Sequence, residues 1–176
     1  MTITLYHHPF SRAANVVWML EEVETPYELR HVDILTGGQK APDIVAANPM
    51  GKLPILVDDG TVVTESAAIG LYLADRYAYG RLAPRVDDPK RGTYLRWAFF
   101  APSVIEPSSM AKAQAWTFRE SQAGWGSYEA TLATIEHVFT NTPRRSRNDG
   151  RAARDMLATP KTFTANTRCQ RATSIR

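Results

Sequence analysis

Asn48-Pro49-Met50-Gly51-Lys52-Leu53-Pro54-Ile55-Leu56-Val57-Asp58-Asp59-Gly60, followed closely by Thr64-Glu65-Ser66-Ala67-Ala68-Ile69, is the stretch that decides the fold of this chain. Pro54 stands at the mouth of a short apolar strand, Ile55-Leu56-Val57. Asp58-Asp59-Gly60 reads as a hairpin turn, because Asp and Gly tolerate the positive φ angles of a tight connection. Thr61-Val62-Val63-Thr64 is the returning strand. A helix follows from about Glu65 to Tyr77, with Ile69, Leu71, Tyr72 and Leu73 apolar.

Upstream, Ile3-Thr4-Leu5-Tyr6 alternates as a first strand, and Ser11 precedes a helix over Arg12–Val23. In that helix Val16, Val17, Met19, Leu20 and Val23 recur at helical spacing. Pro26 ends it, and Tyr27 to Asp33 alternates as a second strand. Gly37-Gly38 breaks the chain, and a short helix over about Ala41–Ala46 stops before Asn48-Pro49. The order βαβ, α, ββα is that of an α/β thioredoxin-like domain, expected over residues 1–79.

Residues 80–89, with Pro84 and Asp87-Asp88-Pro89, read as a linker, and 90–139 as a partial all-α domain. Lys90–Phe100 is helical in pattern, and Pro102 and Pro107 are expected to kink or break it. Trp125–Phe139 is the next helical pattern. From Thr140 the large apolar residues are Met156, Leu157, Phe163 and Ile175 alone, too few to offset ordering entropy, so 140–176 reads as a disordered tail.

The 176 residues carry a net charge of +3, unevenly spread. Residues 140–176 hold nine Lys/Arg against Asp149 and Asp155, and residues 1–139 hold 12 basic and 16 acidic groups. A basic tail can bind nucleic acid, but this one lacks aromatic interleaving or a motif, and nucleic acid is not the expected partner. No 18-residue apolar run is present, Met1-Thr2-Ile3-Thr4-Leu5-Tyr6 lacks the basic start and long apolar run of a signal peptide, and Cys169 is the sole cysteine. A cytoplasmic chain with no disulfide, no membrane span and no Cys-x-x-Cys redox pair is expected.

Three places carry chemistry. A cis Leu53-Pro54 bond would turn the Leu53 N–H and C=O outward, where a peptide could pair with them as an added strand does; a strand-start proline is the plain alternative. Glu65-Ser66 at a helix N-terminus suits an ammonium beside a carboxylate; read alone, plain capping by Ser66 or Thr64 is the favoured explanation. Ser11, after the first strand, stands where thioredoxins place their reactive cysteine. Its hydroxyl could donate to a bound thiolate, with the helix dipole and Arg12 assisting, or simply cap the helix. Tyr6 is the second choice for that role. Trp97, Phe99 and Trp116 are candidates to line an apolar pocket, or else core. Adjacent His7 and His8 would point to different sides if strand-like, and no His/Cys/Asp/Glu cluster has ligand spacing, so no metal site is expected.

Taken together, Ser11-Arg12-Ala13 with Val17-Trp18-Met19-Leu20-Glu21-Glu22, Pro26-Tyr27-Glu28-Leu29, Asn48 through Leu56, and Glu65-Ser66-Ala67-Ala68-Ile69 resemble the glutathione transferase superfamily, its serine-type, bacterial-like members in particular. The resemblance implies that Leu53, before Pro54, pairs with the cysteinyl backbone of glutathione, that Glu65 and Ser66 hold its γ-glutamyl end, and that Lys52 with Gln39 or Lys40 faces its glycyl carboxylate. It also implies that Ser11 polarises the thiol, that the helical domain receives a small hydrophobic electrophile, and that the protein is a homodimer. The activity implied is conjugation of the glutathione thiolate; a non-catalytic glutathione- or partner-binding module of the same fold is the alternative.

The chain departs from the family after Phe139, where members continue with a buried helix opened by a Ser/Thr-x-x-Asp capping box. The swing to Arg, Thr and Ala resembles translation in a shifted reading frame, which the other two frames of the DNA would test. Without that helix, weak conjugation and poor solubility are expected.

Overall fold

The computed structural model describes residues 2–119 and 123–141. The readings of the tail fall outside these residues, apart from Thr140 and Asn141, which close the last helix. Four strands form one sheet: β1 (Ile3–His7), β2 (Tyr27–His31), β3 (Ile55–Asp58) and β4 (Thr61–Thr64). Their order is β2-β1-β3-β4, with β1 parallel to β2 and antiparallel to β3. This is the thioredoxin-like mixed sheet, and every strand named from the sequence is present.

The hairpin forms as its residues dictate. Asp59 (φ 49°) and Gly60 (φ 85°) both take positive φ, the conformation of the tight turn that matches strand twist. β2 lies at an edge and exposes Glu28, Arg30 and His31; charged edge residues discourage pairing with a further strand. It ends two residues earlier than expected, at His31.

Alternation along the strands builds a core on each side of the sheet. Ile3, Leu5 and Leu56 face α1 (Ala13–Val23) and α3 (Ser66–Tyr77), burying against Val16, Leu20, Ile69 and Leu73. Each such side chain contributes about 1.5–3 kcal/mol of transfer free energy. A Cβ on Gly70 would come within 2.9 Å of Met19 Sδ, so a larger residue there would make the Met19 side chain shift. On the other side Ile55 and Val32 pack with Ile44 of α2 (Pro42–Ala47).

The chain then runs into α4 (Arg91–Phe100). Arg91 fixes its start: Nη1 and Nη2 grip Asp75 of α3 at 2.6 and 2.7 Å, and Nη1 also reaches the Pro84 carbonyl at 3.0 Å. The expected break at Pro102 and Pro107 takes a specific form. A π turn over Ala101–Ile105 leads directly into α5 (Glu106–Ala113). The Glu106 N–H reaches back five residues to the Ala101 carbonyl. In a regular helix the Pro107 ring would meet the Ser103 carbonyl; the wider turn gives it room.

The described residues up to Thr117 belong to one compact unit, and the described residues from Phe118 to a second. The second contains α6 (Tyr128–Asn141). There Thr131 is buried, its hydroxyl donating to the Trp125 and Ser127 carbonyls, and Phe118 packs edge-on to Trp125. None of the described helices is long and apolar enough to cross a membrane.

Candidate functional site

Strand register gathers the candidate residues at one end of the sheet. Tyr6 pairs with Ile55, and Ile55 pairs with Thr64. The segments that leave these positions, His8–Ser11 after β1, Leu53-Pro54 before β3 and Glu65-Ser66 after β4, therefore emerge side by side.

The Leu53-Pro54 bond is cis. The Leu53 side chain packs into the core under α2, while among the described residues its N–H and C=O have no partner in the chain. Asn48 shapes the approach to it: this buried side chain donates to the Lys52 carbonyl at 2.9 Å and accepts from the Met50 N–H at 3.1 Å.

Glu65 takes φ 67° and ψ 121° directly before α3, and no side chain caps that helix. The capping role weighed for Ser66 and Thr64 is thus not what the structure contains; the first-turn N–H groups and the positive dipole end are left for another acceptor. A non-glycine residue in such a conformation costs about 1–3 kcal/mol and clusters at ligand sites.

Gln39 and Lys40 sit over the same segment. Lys40 Nζ donates to the Met50 carbonyl at 2.9 Å, so its ammonium is already engaged. Gln39 Oε1 is buried without a partner. Gly51 (φ 58°) is required beneath them, because a Cβ there would lie 2.9 Å from the Gln39 carbonyl and the Lys40 chain. Lys52 is exposed.

Ser11 is bonded both ways. Its hydroxyl donates to the His8 carbonyl at 2.8 Å and accepts from the Ala13 N–H at 3.2 Å. Tyr6 faces the α2 side, where its hydroxyl accepts from Arg30 Nη1 at 3.0 Å under the Arg30 guanidinium. His7 and His8 do not diverge as strand neighbours would. His8 lies past the end of β1, and both rings approach His31, at 5.9 and 5.2 Å. Burial lowers the His7 pKa, and His31 and His8 add to that. Among the described residues no group of three or more His, Cys, Asp or Glu could hold a metal.

Beside Ser11 lies an open cleft of about 220 Å³, lined by Arg12, Pro102, Glu106, Pro107, Met110 and Trp116. Trp116 is the one aromatic candidate that lines it. Trp97 packs edge-on to Phe100 on α4, and Phe99 is 52% exposed. Glu106 and Met110 carried no sequence signal, because the helix that presents them is contiguous with the π turn.

Residues 1–75 match the model of the glutathione S-transferase N-terminal domain. The chain is 36% identical over 105 residues to glutathione S-transferase 3 of Schizosaccharomyces pombe, covering 60% of this chain and 43% of that one. It spans about half the length of the curated relatives it matches. Its fold is similar to that of a possible glutathione S-transferase from Rhodopseudomonas palustris, at a TM-score of 0.61 and 32% identity over 79% of this chain and 70% of that one. It is also similar to that of the glutathione transferase URE2P6 from Phanerochaete chrysosporium in complex with oxidized glutathione, at 0.67 and 26% over 81% and 70%.

Proposed function

This chain belongs to the glutathione S-transferase superfamily, and on that premise we propose that it binds glutathione at the strand ends and transfers its thiolate to a small hydrophobic electrophile. The observation that carries the reading is Glu65, held at φ 67° before a helix start that no side chain caps, one strand pairing away from the segment that opens with Leu53-Pro54. Leu53 offers a backbone donor and acceptor to the cysteinyl residue. Glu65 meets the γ-glutamyl ammonium, and the Ser66 N–H and hydroxyl meet its carboxylate. Gln39 and Lys52 face the glycyl end, and Lys40 supports them through Met50. The orphaned polar atoms at Leu53, Gln39 and the α3 start fit a ligand of alternating amides and carboxylates.

Ser11 is the proposed thiol-activating group: its single hydroxyl proton, held by the His8 carbonyl at 2.8 Å in the free chain, turns to the sulfur when glutathione binds. A free thiol has a pKa of about 8.5, and lowering it by about two units requires roughly 2.7 kcal/mol of thiolate stabilisation. A hydrogen bond to a charged acceptor supplies about 1.5–3 kcal/mol, and the α1 dipole adds about 0.3–1 kcal/mol. In the reaction the sulfur forms a bond to the electrophilic carbon, the leaving group departs with its electron pair, and the thiol proton passes to solvent. The cleft beside Ser11 receives the electrophile. A cytoplasmic homodimer belongs to the same proposal.

The hydrogen bond from Ser11 to the His8 carbonyl favours a second reading, a glutathione-binding module in which Ser11 is structural. Isothermal titration with glutathione, followed by turnover of a chlorinated aromatic electrophile, tests both. Binding with turnover supports the transferase, binding without turnover the module, and no binding refutes both.

A further inference from the structure

The residue on which the Ser11 loop converges is His8. The residue is 5% exposed, and both its backbone carbonyl and its Nδ1 hold the loop. Nδ1 accepts from the Phe10 N–H at 3.1 Å. The carbonyl accepts from the Ser11 N–H at 3.0 Å and from the Ser11 hydroxyl at 2.8 Å. The ring packs between Phe10 (5.4 Å) and His31 (5.2 Å).

A backbone N–H can only donate, so Nδ1 is the acceptor of this pair and presents its lone pair to the Phe10 N–H. A proton on Nδ1 would oppose the Phe10 N–H and drive the loop, with Ser11, out of place. The charged or titratable groups around the ring are His7 on β1, His31 on β2 and Asp33 beyond it. Asp33 is itself committed, holding the Thr36 hydroxyl and the Leu35 N–H.

We propose that His8 is a positioning residue for thiol activation: its Nδ1 acceptor fixes the 8–11 loop and so sets where the Ser11 hydroxyl stands. The proposal rests on the glutathione reading above and deepens it. His8 touches no reacting atom; it acts through Ser11.

Two substitutions separate this role from packing. In His8→Asn the side-chain oxygen occupies the place of Nδ1, the same number of bonds from Cα. In His8→Gln the amide lies one bond further, at the place of Nε2. Both lose the ring, so a packing role predicts equal losses, while an Nδ1 acceptor role predicts that Asn rescues. The readout is the thiolate absorbance of glutathione bound to the full 176-residue chain as pH is varied, with affinity measured in parallel by titration calorimetry.

The expected result is a wild-type-like thiol titration in His8→Asn and a thiol pKa raised by about one unit in His8→Gln, which takes the thiolate fraction at about pH 7 from roughly three quarters to roughly one quarter, with similar affinities. If the Gln variant does not fold, the Asn variant decides alone: a wild-type thiol titration supports the proposal and a raised thiol pKa overturns it. Equal thiolate loss in both variants, or no loss in either, overturns it while leaving glutathione binding intact. Absence of binding heat in the wild-type chain removes the glutathione reading itself and the proposal with it.

Discussion

Arg12 Nε stands 2.8 Å from Glu106 Oε2, so the residue beside Ser11 is fastened to α5 across the floor of the cleft. The pair puts one cation and one anion into a wall otherwise made of Pro102, Pro107, Met110 and Trp116. Glu106→Gln releases the guanidinium toward the cleft. Because both side chains are partly exposed (55% and 33%), the loss of stability is expected to stay under about 1 kcal/mol. Steady-state kinetics should instead show a several-fold change in the KM for an electrophile, with glutathione affinity unchanged. Equal changes in both would place the pair in the glutathione site rather than the cleft.

Ser11→Ala removes one donor to the thiolate and one cap. Turnover is expected to fall by roughly 10- to 100-fold, the equivalent of a lost hydrogen bond to a charged group, with a stability cost of about 1 kcal/mol from the cap. Tyr6→Phe should leave turnover within about twofold, because the Tyr6 hydroxyl is engaged by Arg30 on the α2 side. A large loss in Tyr6→Phe with a small one in Ser11→Ala would reverse the assignment.

Glu65 makes stability and binding pull in opposite directions. Glu65→Gly relieves the φ 67° conformation, so the melting midpoint should rise, by up to the equivalent of about 1 kcal/mol. The same change deletes the carboxylate, and glutathione affinity should fall at least tenfold, as expected for a charge-assisted bond. Glu65→Gln keeps the strain and should lose affinity without the gain in stability. Unchanged glutathione binding in both variants would exclude Glu65 from the γ-glutamyl site.

The sheet was legible because each of its signals is local. Alternation in Ile3-Thr4-Leu5-Tyr6 and the Asp59-Gly60 turn need only neighbouring residues. The candidate site is legible to the extent that its residues lie at element ends, as Leu53, Glu65 and Ser11 do. What escaped depends on packing between distant segments. The two prolines at 102 and 107 announced a disturbance, but a π turn leading into α5 is a compromise that only the neighbouring helix can select. The commitment of Lys40 to Met50, of Tyr6 to Arg30 and of Glu106 to Arg12 is likewise a matter of contacts across the fold. His7 meets His31 because the two pair in the β1–β2 register, and His8 meets the same ring because β1 ends before it, so the alternation of strand neighbours does not apply to the two.

Asp58, at the far end of β3, ties the sheet to α3. It is fully buried, and its Oδ2 accepts from the Tyr77 hydroxyl at 2.6 Å and the Tyr72 hydroxyl at 2.8 Å, with Arg76 Nε at 3.0 Å. Burial pushes its carboxyl pKa up, but the Tyr77 and Tyr72 donors and the Arg76 charge outweigh this and hold it below 3.8. The folded state therefore binds this proton less readily than the unfolded one. The stabilisation is fully present above the unfolded-state value and is lost as pH falls through the folded-state value. Asp75, held low chiefly by the Arg91 donors, acts in the same direction. The melting midpoint should fall steadily once pH drops below about 4. Asp58→Asn, which leaves the part-exposed Arg76 without its anion and the tyrosines with a weaker acceptor, should cost about 1.5–3 kcal/mol at neutral pH and show a shallower acid fall, with Asp75 supplying what remains. A variant with the wild-type acid slope would show that Asp58 does not drive it.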